Sequence, residues 1–382
     1  MGSAMKRFSC ESAGLLICLA VAGQASAALS FNFTSGDGSL SSGDAMWQGF
    51  QDAASIWSSE LTDSVTVQLD IRTASLSPGV LGSANSTQNN FDFSSFRTAL
   101  TADTASADDT TFTSNLPGGS SFDMHINHVL ENGGAAFLDD DGGANNSKIR
   151  TTRANAKAIG LVGATDPTID AQIKFSSSFA WDFDRSDGID GSQYDFIGVA
   201  AHEIGHALGF TSGIDVLDNN ADAFSDDAFT FVSPVDLTKY SQSSADDGVI
   251  DWTADTHTKY WSLDGGQNAI SGATFSTGRN FGDGQQNSHW KDNQGLGLMD
   301  PTIANGELGD VTDTDRRMFD VIGWDVASPL SSPSTTPLAS GAGGGAAPEP
   351  AVLGHVAVAL VLLYTTGRPI ARRRNVTGAR TA

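Results

Sequence analysis

Apolar and polar positions alternate along residues 65–72, where Val65, Val67, Leu69 and Ile71 are separated by Thr66, Gln68, Asp70 and Arg72. A period of two predicts a half-buried strand. Phe122, Met124 and Ile126 alternate in the same way with Asp123, His125 and Asn127, and Ile173, Phe175, Phe179 and Trp181 keep even spacing. Leu29 to Thr34 adds a short strand candidate. From Ala45 to Trp57 the period changes: Met46, Trp47, Phe50, Ala53, Ala54 and Trp57 mark one face of a helix. Another helix is predicted over 193–208, where Phe196, Ile197, Val199, Ala200, Ala201, Ile204, Ala207 and Leu208 leave almost no polar face. Such a helix lies inside the protein. Ser192 with Asp195 three residues on has the form of a capping box, and Gly209 stands where a left-handed C-terminal cap belongs. A last short helix is predicted from Asp313 to Ile322, stopped by Gly323. The stretches 101–120 and 138–156 read as polar loops, and 210–310 as loop-rich chain. No repeat is present. The order predicts one α+β domain with two lobes.

The two ends of the chain have a different character. Residues 1–27 carry a basic start (Lys6, Arg7), an apolar stretch from Ala13 to Gly23 and the small-residue site Ala25-Ser26-Ala27, the pattern of a secretory signal peptide. Residues 28–325 form the predicted domain. Residues 326–347 are rich in Ser, Pro, Gly, Ala and Thr and read as a linker. At 348–382 come Pro348-Glu349-Pro350, an apolar run over about 351–366, and Arg368, Arg372, Arg373 and Arg374. Sixteen helical residues reach about 24 Å, against a hydrocarbon core of about 30 Å. The arginines would hold the far end in the cytoplasm and leave the body outside. This tripartite end resembles the PEP-CTERM sorting signal of Gram-negative bacteria. That resemblance implies export to the surface or medium, transient membrane anchorage and recognition by an exosortase-type sorting machinery.

Composition narrows the chemistry further. Among 382 residues, 45 acidic side chains face 21 basic ones, a formal charge of −24. So few cations cannot form a stripe for a polyanion, which excludes nucleic acid as the expected partner. Both cysteines, Cys10 and Cys18, fall in the signal segment, so the body has neither a disulfide framework nor a thiolate metal site. Only six of the acidic residues are Glu, and none lies between Glu203 and Glu307.

The buried helix carries His202-Glu203-Ile204-Gly205-His206. Histidines at i and i+4 project from one face and can reach a single Zn²⁺, with the intervening Glu beside them as a base rather than a ligand. At this chain's His and Glu content, chance produces the pattern in roughly two chains per thousand, so it is informative. A catalytic zinc needs a third protein ligand. A glutamate on a following helix is excluded by the Glu-free interval. In the pattern H-E-x-x-H-x-x-G-x-x-H the glycine is Gly209, but the last position is Ser212. Asp215 and Asp218 remain as oxygen candidates, and His257 and His289 as the downstream histidines ahead of the tail's His355.

The stretch Ser288-His289-Trp290 followed by Gly297-Leu298-Met299-Asp300-Pro301 resembles the leishmanolysin branch of the metzincin zinc metallopeptidases. Together with the tail, it is similar to the bacterial PEP-CTERM-associated metalloproteases. The resemblance covers about residues 190–325. It implies His202, His206 and His289 as zinc ligands, Glu203 as general base, Gly209 as the turn after the helix and Met299 as the Met-turn residue beneath the metal. It also implies a zincin-like two-lobed fold: a mixed sheet with backing and active-site helices, then a loop-rich lobe with the Met-turn and a final helix. The chain departs from leishmanolysins in having no cysteine in the body.

The function expected is an exported zinc metalloendopeptidase that hydrolyses protein or peptide substrates. The competing class is a surface or matrix adhesin with a structural zinc, for which a glutamate beside two histidine ligands has no use. Ca²⁺ is a further cofactor candidate, at Asp182, Asp184, Ser186, Asp187 and Asp190 around Gly188, or at Asp139-Asp140-Asp141. His257 is expected in a surface loop, and His125 and His128 in a strand.

Overall fold

In the computed structural model the described residues are 28–270, 272–328 and 330–337. The segment 1–27 expected to be a signal peptide, residues 329 and 338–347 of the expected linker, and the 348–382 tail with its apolar run lie outside them. Ser30–Thr34 form β1, Ala45–Glu60 form α1, and Thr66–Ala74 form β2, parallel to β1 with Ser30 opposite Thr66. Gly82–Ser86 (β3), Gln88–Asp92 (β4), Met124–Ile126 (β5), Phe137–Asp139 (β6), Lys148–Thr152 (β7) and Ala171–Ser176 (β8) follow. The principal sheet has the order β1-β2-β8-β3, with β8 parallel to β2 and the edge strand β3 antiparallel to β8. The alternation read at 65–71 sets its register: Val67, Leu69 and Ile71 are fully buried.

Helices α2 (Phe93–Asp103), α3 (Ala107–Asn115), α4 (Arg153–Ala158), α5 (Phe196–Leu208), α6 (Ile214–Asn219), α7 (Gln242–Asp247) and α8 (Asp313–Val321) complete the mixed α+β architecture. α1 packs against both the sheet and α5, and α5 also meets the sheet directly at β3. Phe50 meets the rings of Phe175 and Phe196 at 5.1 and 5.5 Å, and the Trp57 indole donates to the Ala201 carbonyl at 2.8 Å. That bond satisfies an indole N–H that would otherwise be buried without a partner.

Several loops expected from composition are helical. α3 falls in the polar stretch 101–120, where Ser106 and Asp109 form a reciprocal capping box and Phe112 is the one buried apolar anchor. A nine-residue helix with a single anchor has no legible period, and its start is set by the cap. β7 and α4 likewise occupy much of 138–156. The even spacing from Ile173 to Trp181 is not one strand: β8 ends at Ser176, and Trp181–Asp182 pair instead with Tyr194–Asp195.

The end of the described chain returns to its beginning. The Thr62 N–H donates to the Asp325 carbonyl at 2.8 Å, the Asp325 N–H to the Asp63 carboxylate at 2.9 Å and the Ala327 N–H to the Glu60 carbonyl at 2.8 Å. Thr335–Pro337, within the stretch read as linker, pair with Asn268–Ile270. No helix among the described residues is long and apolar enough to cross a membrane.

Burial pushes the Asp63 carboxyl up to about 7, with Asp325 and Asp103 adding repulsion. A carboxyl whose folded pKa lies above its unfolded value contributes stability below the unfolded pKa and loses it as pH rises through the folded one. The native state therefore weakens between about pH 4 and pH 7 at this position. Asp63→Asn keeps an acceptor for Asp325 and removes the charge. It is expected to stabilise the protein by about 1–2 kcal/mol at pH 8, with no gain at pH 4, in denaturant melts at the two pH values.

Candidate metal centre

Asp195 starts α5. Its carboxylate accepts the Gly198 N–H at 3.0 Å and is itself held by Arg185 at 2.6 Å, so the helix begins at Phe196 rather than at the expected Gln193. All thirteen residues of α5 are buried. At the other end Gly209, at φ 135°, closes the helix through its N–H to Gly205 and His206, and a Cβ there would meet Ile322 and Asn155 at about 3 Å.

His202 and His206 leave the same face of α5, and His289 arrives from the loop before Trp290. Their Nε2 atoms converge: 3.0 Å between His202 and His206, 3.2 Å between His206 and His289, and 3.3 Å between His202 and His289. Each Nδ1 faces a main-chain carbonyl, of Leu298 at 2.7 Å, Phe210 at 2.6 Å and Gln286 at 3.3 Å respectively. A carbonyl only accepts, so the Nδ1 atoms donate and the three Nε2 atoms turn lone pairs toward one another. Tetrahedral zinc with bonds of 2.0–2.1 Å requires ligand nitrogens about 3.3 Å apart. The donor set therefore fits one metal ion. Burial holds the His202 pKa down at about 4 and those of His206 and His289 well below the ordinary imidazole value, which keeps the rings neutral.

Glu203 lies against the edge strand. The Ala84 N–H of β3 donates to its carboxylate, and at Gly82 a Cβ would come within 2.9 Å of Oε1. That oxygen is buried without a protein partner. Burial raises the Glu203 pKa well above the usual carboxylate range. An orphaned acid beside three unprotonated imidazoles is costly unless another group completes it.

Met299 is fully buried beneath the helix: a Cβ at Gly205 would lie 2.6 Å from its sulfur. The turn is held by Asp315 of α8, whose carboxylate accepts the N–H groups of Leu298 at 2.7 Å and Met299 at 3.3 Å and the Trp290 indole at 2.9 Å. Asp315→Ala would strand those buried donors together. It is expected to cost about 2–4 kcal/mol in denaturant melts and to loosen metal binding in a chelator competition.

The other third-ligand candidates serve the loop that carries His289. Asp215 accepts the N–H groups of Asn287 at 2.6 Å and Ser288 at 3.2 Å, and Asp218 accepts those of Arg279, Asn280 and Phe281 at 3.0 Å each. Ser212 donates to Asp236 and accepts from the buried Lys239 ammonium, which also donates to the Asn287 carbonyl at 2.8 Å. No spacing rule announces these contacts, because Ser212, Asp215 and Lys239 meet the loop only through the fold. His257 is exposed beside Asp255. His125 lies on β5 against Asp247, and His128 follows the strand at φ 55°.

Of the calcium candidates, Asp182, Asp184 and Asp190 accept local backbone N–H groups and form no metal-holding group among the described residues. Asp139 and Asp141 do come together with Asp226, their ligand oxygens within 4.8 Å of one another, and could hold a cation. Asp226 had no signal in the sequence.

Comparison with protein families, curated proteins and solved structures found no match to this chain.

Proposed function

We propose that the protein is a zinc-dependent metalloendopeptidase with a metzincin-like, two-lobed zincin fold. The observation that carries this reading is the convergence of three Nε2 lone pairs from His202, His206 and His289 beside the orphaned Glu203 carboxyl. The three imidazoles would hold the ion, and the carbonyls behind them fix each ring's tautomer and direction. When bound, zinc supplies Lewis acidity, polarising a carbonyl and bringing the pKa of a water down towards 7.

The chain's own groups do the rest. Glu203 Oε1 takes the proton of the attacking water and returns it to the departing amine, as a carboxylate beside the three imidazoles can once a bound cation favours its ionised form. Ala84 N–H anchors the same carboxyl so that Oε1 alone is free to move a proton. Met299 and Asp315 keep the floor of the site rigid, and the dry surroundings strengthen each charge–dipole contact. A structural zinc alone would leave Oε1 buried without purpose. Export, transient anchorage through the tail, sorting by an exosortase-type machinery and a place at the cell surface or in the medium belong to the same proposal.

The direct test is hydrolysis of casein by the zinc-loaded protein. Cleavage is expected to cease on treatment with a chelator and to return on addition of zinc. A folded, zinc-loaded protein that cleaves no peptide bond would overturn the reading in favour of a structural site.

A further inference from the structure

A cavity of about 250 Å³ lies between the first half of α5 and the segment 295–312 that follows the third histidine. His202, whose Nε2 joins the histidine cluster, is among its lining residues. Val199, Leu298, Ile303 and Leu308 give it apolar walls. Its lining also carries carboxylates. Asp300 lines it, half-buried, and the Thr302 N–H donates to Asp300 at 3.2 Å while the Thr302 hydroxyl donates to the neighbouring Asp292 at 2.8 Å. Glu307 is a second lining carboxylate. No lysine or arginine lines the cavity. Arg185, bonded to the lining residue Asp310, is also committed to Asp195 and the Gly309 carbonyl.

We infer that this cavity seats the lysine or arginine side chain of a substrate residue next to the cleaved bond, with Asp300, backed by Asp292, recognising its charge. The inference rests on the peptidase reading above and names its substrate class. The size suits one long side chain rather than a larger ligand. Apolar walls clothe a four-carbon or three-carbon stem, and the Asp300 carboxyl meets a cationic tip, the two kinds of contact that lysine and arginine side chains require. A neutral apolar side chain would fill the walls but leave two neighbouring carboxyls facing each other with no cation. Burial, with Asp292 beside it, already pushes Asp300 up to about 7, the direction that a neighbouring cation would reverse.

The test has two arms. In the first, the zinc-loaded full chain digests casein and the cut sites are mapped by mass spectrometry. Lys or Arg is expected at one of the two positions flanking the bond. A peptide pair differing there only by Lys or norleucine should then show a kcat/KM ratio of roughly tenfold or more in favour of Lys. Asp300→Asn should bring that ratio close to one, and Asp292→Asn and Glu307→Gln should lower it if Asp300→Asn does not fold. A ratio of one or below in the wild type, or a ratio untouched in every folded variant, overturns the inference while leaving the peptidase reading intact. In the second arm the same two peptides are titrated into Glu203→Ala protein loaded with zinc, by fluorescence anisotropy. This arm reads the cavity even when nothing is cleaved: tighter binding of the Lys peptide, lost on adding Asp300→Asn, supports the cavity assignment. Equal binding, or none, overturns it.

Discussion

Glu203→Ala is expected to lose turnover by a factor of about 10³ or more while the protein keeps its fold and its zinc, since a positioned base contributes about 10²–10⁴ and no other titratable side chain stands in its place. The three imidazoles proposed as ligands are oriented by the carbonyls of Leu298, Phe210 and Gln286, none of which depends on Glu203. Truncation removes a buried carboxyl whose Oε1 has no protein partner but strands the buried Ala84 N–H, so the two effects offset and the fold should persist. Glu203→Gln, which keeps the shape and removes the base, should be as inactive as the alanine variant. The measurements are casein turnover and zinc content of the purified variants. Near-wild-type turnover by a folded, zinc-loaded Glu203→Ala protein would contradict the assigned role.

The second large effect is expected at His289. Zinc binding of this kind is worth on the order of 12 kcal/mol shared among three imidazoles, so His289→Ala should weaken affinity by about three orders of magnitude. It should also lower the melting temperature of the zinc-loaded protein towards that of the chelated one, because bound metal stabilises the folded state by mass action. Three variants make the comparison sharp. His257, exposed next to Asp255, should lose nothing when replaced by alanine. Asp215→Ala should lower affinity less than His289→Ala, through the freed N–H groups of Asn287 and Ser288 that set the loop. Zinc competition with a chromophoric chelator ranks them, and His289→Ala holding zinc as tightly as wild type would remove it from the ligand set.

His202, Glu203 and His206 were legible because their relation is local. Helical geometry converts a four-residue spacing into one turn on one face, and the apolar residues around them announce that the face is buried. β2 and α1 were legible for the same reason, each carrying a period over enough residues to be read. His289 could be named from motif resemblance, while the residues alone left Asp215, Asp218 and His257 beside it. The chain between His206 and His289 has no period that states how it folds back.

Tertiary structure decided the rest. Asp215 and Asp218 became acceptors for the loop bearing His289, Lys239 was drawn fully into the interior between Ser212 and Asn287, and Asp315 reached from the final helix to hold the turn under Met299. Glu203 acquired its Ala84 donor because β3 is the strand at the sheet edge facing α5. These contacts join residues from 16 to 119 positions apart, and a hydrogen bond at that separation leaves no mark on the local sequence. The amino-acid order by itself marked His202, Glu203 and His206 as candidates on one buried helix face, through periods of two and 3.6 and a four-residue spacing. Only the packed fold decided their distances, their buried proton affinities and the acidic cavity beside His202, because those depend on which distant segments exclude water together.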